Sequence, residues 1–135
     1  MTSNKTRRGM ATLEMLFVLP LLFLILFGII EFGLVLGRWQ TVTNAAREGA
    51  REAIVFRQTC NAGAVQNDVD TRVAAYLASS NITADSITVT GACTGSGNDT
   101  AVAVVYTHPF MTVQNFAPTI GADITLTGNS TMRNE

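Results

Sequence analysis

The feature that most constrains the fold is a long apolar run near the N-terminus. Residues 15–30 carry no charged side chain, and after the single Glu31 the uncharged run resumes over residues 32–37. As an α-helix, the stretch from Leu13 to Gly37 would be about 37 Å long, which exceeds the roughly 30 Å hydrocarbon core of a bilayer. The sequence therefore predicts one transmembrane helix that crosses with some tilt.

Charges flanking this run predict its orientation. Lys5, Arg7 and Arg8 precede it, and no acidic residue occurs before Glu14. The positive-inside rule therefore keeps the N-terminus in the cytoplasm and places everything after Arg38 outside. A secretory signal peptide is the competing interpretation, but its apolar region is shorter and ends at an Ala-x-Ala-like site. We predict a single-pass membrane protein with an extracytoplasmic C-terminal domain.

Both cysteines of the chain, Cys60 and Cys93, fall in the part predicted to lie outside. A disulfide can form and persist there, and closing this loop would stabilise a small domain by about 4 kcal/mol. Two buried free thiols are the alternative. The even number of cysteines and the oxidising side favour the disulfide, although spacing alone does not prove a pairing.

The rest of the chain predicts two more kinds of element. Residues 41–56 have no proline and many helix formers, so the first helix should continue outside the membrane to residue 56. Small and polar breakers follow at 59–63, and a short amphipathic helix is predicted over 67–78, ending near 79–81. Its apolar residues at helical spacing are Val69, Val73, Tyr76 and Leu77.

Beyond residue 85 the apolar period changes from helical spacing to alternation. Residues 86–90 and 101–107 flank a Gly-rich turn and predict a hairpin, and alternation from residue 124 predicts a third strand. The loop before the third strand holds Pro109 and Pro118. The predicted fold class is α+β: a long N-terminal transmembrane helix that continues outside the membrane, a short second helix and a small, mostly antiparallel sheet.

A short motif marks the start of the apolar helix. Arg7 and Arg8 lead into Gly9, and Glu14 follows five positions later. Glycine gives flexible access to a scissile bond at the membrane surface. A charge near the bilayer centre costs about 2.5 to 3.5 kcal/mol and less near the edge, so Glu14 needs a partner. The alternative is a carboxylate that only snorkels to water beside the basic residues.

This motif resembles the processing site of the type IV pilin class. The resemblance implies that prepilin peptidase, a membrane aspartic protease, cuts between Gly9 and Met10 and releases residues 1–9 as a cytoplasmic leader. It also implies that the new α-amine of Met10 pairs with Glu14 of the same or a neighbouring subunit, as the docking contact. Met15 departs from the class, in which an aromatic residue usually follows the glutamate, and this leaves the processing efficiency open.

The first third of the chain narrows the resemblance to the TadE-like family. The similar segments are RRG at 7–9, LE at 13–14, VLPLL at 18–22, FGIIEFG at 27–33 and TNAAREGAR at 43–51. The C-terminal segments VVYTHPF at 104–110 and ITLTGNSTMR at 124–133 are similar to the family's strands in order and character.

Membership of this family implies a structural role. The protein would be a pseudopilin or minor pilin needed to assemble a Tad (Flp) adhesive pilus, single-pass in the bacterial inner membrane, with a pilin-like fold. The implied division is a leader at 1–9, a transmembrane and extended helix at 10–56 and an extracytoplasmic domain at 57–135. The implied partners are prepilin peptidase, other pilin or pseudopilin subunits, the inner-membrane assembly platform and membrane lipid.

Small residues recur every four positions along the long helix. Gly33 and Gly37 form one such set, and Ala45, Gly49 and Ala53 form another. Such stripes let helix backbones approach closely, which in a membrane is a main source of association, so they favour a bundle of subunits. Outside the bilayer, packing of the helix against its own domain is an equal alternative.

Charged residues near the outer end of the helix suggest two further contacts. Glu31 is expected to reach the outer headgroup region near Arg38 and Trp39 and to serve as an anchor. Farther along, an internal pair between Glu48 and Arg51 on a solvated face is favoured over pairing between subunits.

The sequence offers no residues for catalysis. His108 is the only histidine, it precedes a proline at a strand end or turn, and no cysteine or histidine cluster accompanies it. Phosphate-binding glycine and serine nucleophile motifs are missing, so we predict neither an enzyme nor a cofactor or metal. Removing residues 1–9 takes away three positive side chains and moves the formal charge from −1 to −4, which argues against nucleic-acid binding. The remaining alternative is an uncleaved, membrane-tethered extracytoplasmic binding module.

Overall fold

The structure, a computed structural model, describes residues 3–55, 59–110 and 123–134 of the chain. The elements are α1 (Ser3–Ala53), α2 (Ala62–Ala78), β1 (Ser86–Thr90), β2 (Asp99–His108) and β3 (Ile124–Arg133). This order confirms the predicted α+β class: a long apolar N-terminal helix, a short helix and a small antiparallel sheet. The predicted loop residue Pro118 lies outside the described residues.

The first helix, α1, runs unbroken through Pro20. It ends at Ala53, and residues 54 and 55 form a turn and a bend, so the predicted end at residue 56 was wrong. Both residues after Ala53 are β-branched, and such side chains favour a helix less because they lose rotamer freedom against the preceding turn.

The second helix, α2, begins five residues earlier than predicted. Asn61 caps it, because its side-chain oxygen accepts hydrogen bonds from the backbone N–H groups of Gly63 and Ala64 at 2.9 and 3.3 Å. The small residues of 59–63 therefore start the helix as well as break the preceding one. Asn81, with φ of 54°, follows the helix end, in agreement with the predicted stop at 79–81. One stripe of α2 is buried, namely Val65, Val69, Val73 and Leu77.

The three strands form one antiparallel sheet in the order β1-β2-β3. The first strand has its predicted bounds, whereas β2 and β3 extend beyond the apolar alternation that predicted them. Alternate residues of β2 are buried, from Thr100 to His108. The two helices cover this buried face, and the core between helices and sheet contains Val42, Ala46, Val73, Val102, Val104 and Leu126.

Contacts along α1 show that β2 runs antiparallel to it. Val102, near the start of β2, lies beside Gly49, and His108, at its end, lies beside Glu31. The sheet therefore ends close to the apolar half of α1, and the disulfide-bearing loops lie at the other end of the domain.

Candidate functional site

The residues predicted for processing and docking lie on the uncovered half of α1. Met10 is 74% exposed, and Glu14 is exposed as well. Around them nearly every large apolar side chain from Leu13 to Ile30 is exposed. The described residues of the domain leave Met10 and Glu14 exposed, so both are accessible to a protease, to lipid or to another subunit.

Within the described part of the chain, one helix is long and apolar enough to cross a membrane. The most apolar stretch of this helix has none of its residues buried inside the protein. The core helix of a soluble protein would be mostly buried, whereas lipid is the solvent that suits an uncovered apolar surface. The helix is therefore compatible with a single-pass membrane protein.

The predicted helix-packing residues divide into two groups. Gly33 and Gly37 are exposed, with open space where a Cβ would be. Ala45, Gly49 and Ala53 are buried, and a Cβ on Gly49 would lie 2.8 Å from Val73 Cγ2. The second group packs α1 against its own domain, which is the alternative to association between subunits.

Gly128 in β3 is a packing residue that the sequence reasoning missed. A Cβ there would lie 2.6 Å from the backbone oxygen of Val42 and 2.8 Å from Cα of Thr43. Only glycine lets the strand approach the helix backbone this closely. An isolated glycine inside a strand pattern was the available signal, because it often marks such an approach.

A buried pair joins α1 to the end of β2. Glu31 is 3% exposed and His108 is 1% exposed, and Nε2 of His108 lies 3.5 Å from Oε1 of Glu31. Both ring nitrogens of His108 are buried and make no hydrogen bond to the described residues. The expectation that Glu31 reaches out to the headgroups was therefore wrong, because helix rotation turns it toward the domain.

A second polar contact lies two turns farther along α1. The guanidinium of Arg38 donates a hydrogen bond to the hydroxyl of Tyr106 and lies over its ring, 5.7 Å from the centroid. Val35 is buried between this contact and the Glu31–His108 pair. Tyr106 and His108, two residues apart on β2, thus meet α1 at positions two turns apart.

Glu48 has a different partner from the one predicted. Its Oε1 accepts a hydrogen bond from Nε of Arg72 on α2 at 3.0 Å, so the internal pair with Arg51 was the wrong assignment. The hydrogen bond to Glu48 raises the pKa of Arg72 above its usual value. Because the Arg72 side chain is 56% exposed, water screens the pair and its contribution to stability is small.

A disulfide joins Cys60 to Cys93, with their Cα atoms 5.5 Å apart. It ties the loop between α1 and α2 to the loop between β1 and β2. Cys93 has a positive φ of 65°, in a loop where Gly91, Gly95 and Gly97 also have positive φ. The bridge closes a loop whose entropy would otherwise favour the unfolded chain.

No group of three or more His, Cys, Asp or Glu side chains that could hold a metal ion occurs in residues 3–55, 59–110 and 123–134. A cavity of about 290 Å³ between α2 and β1 is lined by Ala74, Ala78, Asn81, Ile82, Thr83, Ala84 and Ile87. Thr83 supplies a hydroxyl, and none of these side chains is an acid or a base that could activate it.

Comparison with known proteins bears on the long helix. Residues 9–51 match the family model of TadE-like protein. The TadE-like resemblance is confirmed. The match begins at Gly9, at the predicted cleavage site, includes Glu14, and stops at Arg51 before α2 and the sheet. No curated protein and no solved structure matches the chain. The match covers 43 of the 135 residues, and the family that it matches is associated with the Tad pilus and has a structural role.

Proposed function

We propose that this chain is a structural pseudopilin or minor pilin required to assemble a Tad (Flp) adhesive pilus. In this role α1 anchors the chain in the bacterial inner membrane, with the N-terminus in the cytoplasm and the domain outside. Prepilin peptidase removes residues 1–9. Other pilin or pseudopilin subunits and the inner-membrane assembly platform are the partners.

One observation carries the proposal: the TadE-like match runs over residues 9–51, almost all of α1, and its first six positions include Gly9, Met10 and Glu14. The exposed carboxylate of Glu14 stands in an otherwise apolar surface. A charge there is costly in lipid unless a positive group meets it, and the α-amine of a cleaved Met10 is such a group. Docking through Glu14 therefore depends on cleavage, because cleavage creates the α-amine that meets the carboxylate.

The open face of α1 fits a contact between subunits. Gly33 and Gly37 lie on the side of the helix opposite Val35, which packs on the domain. Their backbone is accessible to a second helix, and close backbone approach is a main source of helix association in lipid. We assign this pair of glycines to packing between subunits.

The test of processing is the intact mass of the membrane-extracted chain, expressed with and without prepilin peptidase. The proposal expects a peptidase-dependent loss of residues 1–9, abolished in the Gly9→Ala variant. Gly28→Ala is a matched control, because it removes a helical glycine with open space around it and should be cleaved normally. An unchanged mass beside active peptidase would contradict processing and favour a membrane-tethered binding module.

A further inference from the structure

The apolar surface of α1 continues past the point where the domain begins. Phe32, Leu36 and Trp39 are 65%, 49% and 50% exposed. In the same helical turns, Glu31 and Val35 are buried by the domain. At this height some positions of the helix present apolar side chains to the surroundings while adjacent positions contact protein.

Helix length places this overlap at the outer boundary of the bilayer. If the hydrocarbon core begins at Leu13, a core of about 30 Å ends near residue 33. Trp39 then lies about 9 Å farther out, within the headgroup layer that tryptophan favours. Glu31 lies at the hydrocarbon edge, and because His108 contacts it, His108 lies at the same depth.

The domain extends toward the membrane beyond His108. The chain leaves β2 in that direction, and the ring of Phe110 lies 6.0 Å from the His108 ring, edge to face. Ile124 pairs with His108 across the sheet and is 38% exposed. The end of the domain therefore carries apolar side chains where the bilayer boundary is expected.

Ionisable side chains occur at both ends of the sheet. The end farther from the apolar half of α1 carries Asp99 and Arg133, which pair across β2 and β3. At the near end, beside His108, the carboxylate of exposed Asp85 accepts a hydrogen bond from the backbone N–H of Thr107. Asp123 is exposed beside Ile124, so its carboxylate has to stay among the headgroups and limits how deep this end can lie.

We propose that the near end of the domain, formed by His108, Phe110 and Ile124 beside Glu31, is seated in the outer leaflet, with lipid as its partner. The proposal rests on the membrane placement of α1 proposed above. It explains the burial of Glu31: a carboxylate at the hydrocarbon edge needs a protein partner, and His108 supplies one.

The test uses tryptophan fluorescence, because Trp39 is the only tryptophan of the chain. In a Trp39→Phe background, Phe110→Trp puts a reporter at the near end and Tyr76→Trp puts a matched one on α2. Ile124→Trp is a second reporter, at a site exposed enough to accept the larger ring. Each full chain is reconstituted in phosphatidylcholine vesicles, with and without bromine on the acyl chains, and is titrated with acrylamide.

Brominated lipid is expected to lower the emission of the Phe110→Trp and Ile124→Trp proteins about twofold, because an apolar side chain at the acyl boundary lies close to the bromine. Acrylamide, which stays in the water, should have little effect on either protein. The Tyr76→Trp protein should show the reverse. Quenching of both near-end reporters by acrylamide and not by bromine would overturn the proposal. If the bromine effect disappears at a high protein-to-lipid ratio and returns on dilution with lipid, lipid is the partner and another copy of the chain can displace it.

A separate measurement distinguishes failure of this inference from failure of the membrane placement. Alkaline carbonate releases peripheral proteins from membranes and leaves spanning ones behind. If the chain is retained and the near-end reporters face water, only the seating of the domain is wrong. If the chain is released, the proposed anchoring by α1 is wrong, and the seating of the domain in lipid falls with it.

Discussion

The two halves of α1 use similar small residues for opposite purposes. On the side of Gly33 and Gly37 the helix is open, and the neighbouring side chains of Phe32, Leu34 and Leu36 are exposed. Around Gly49 the helix is closed, because α2 and β2 pack directly on it. A stripe of glycine or alanine therefore marks a place for close approach without saying what approaches. The partner of such a stripe is known only from the tertiary structure.

The largest expected effect concerns the disulfide between Cys60 and Cys93, which lies beside the C-terminal end of α1. Replacing both cysteines, Cys60→Ser with Cys93→Ser, should lower the free energy of unfolding by about 4 kcal/mol, because the unfolded chain regains loop entropy. Denaturant unfolding of the detergent-solubilised chain, followed by near-ultraviolet circular dichroism, measures this. The wild-type chain under reductant should match the double variant, and equal stability of oxidised and reduced chains would contradict a structural bridge.

One methyl group added where β3 packs on the C-terminal half of α1 should lower the free energy of unfolding. Gly128→Ala is expected to cost about 3 kcal/mol, because its Cβ would overlap the backbone of Val42 and Thr43. Gly33→Ala is the matched variant on the open half, and it should leave the free energy of unfolding unchanged or raise it by up to about 1 kcal/mol through helix propensity. Equal destabilisation by the two changes, in the same unfolding measurement, would remove the distinction between the halves.

The open half should matter for assembly instead of folding. Gly33→Ile with Gly37→Ile fills the backbone groove, so subunit crosslinking in membranes should fall severalfold while domain stability stays within about 0.5 kcal/mol of wild type. Leu34→Ile is a matched control, because it places the same side chain on the exposed surface without closing the groove. Undiminished crosslinking of the glycine double variant would show that this face contacts only lipid.

The smallest effect is expected at the exposed ion pair on the closed half. Arg72→Gln should lower the melting temperature only slightly, far less than Gly128→Ala, and added salt should abolish the difference, because water and ions screen the pair. Glu48 raises the pKa of Arg72. The stability that comes from a raised pKa of a basic group is lost only when the pH rises through that pKa. The contribution of Arg72 should therefore be constant across the physiological pH range. A large effect that resists salt would indicate a buried pair.

Much of the fold was predictable because it depends on local pattern. The apolar run and the β alternation of residues 86–90 each carry their signal in adjacent or evenly spaced residues. The pairing of the two cysteines was predicted from their even number and from the oxidising side of the membrane. The start of α2 was missed because Asn61 acts as a cap, and a cap resembles a breaker until the next turn is known to be helical.

The site was predictable only in part, because its contacts join distant segments. Gly9 and Glu14 are close in sequence and resemble a known motif. The Glu31–His108 contact joins residues far apart, and a lone histidine gives no hint of which helix it meets. Glu48 was assigned to Arg51 for the same reason: the near partner is visible in sequence, and Arg72 on α2 is not.

The measurement that tests the proposed role most directly is pilus formation by cells whose only copy of this chain carries Glu14→Gln. If the chain docks into a Tad pilus assembly through this carboxylate, surface pili should be lost while the variant is still processed and retained in the membrane. Leu16→Ala, a neighbouring change that keeps the charge, should leave pili intact. Normal piliation with Glu14→Gln would contradict the docking role and with it the assignment as an assembling pseudopilin.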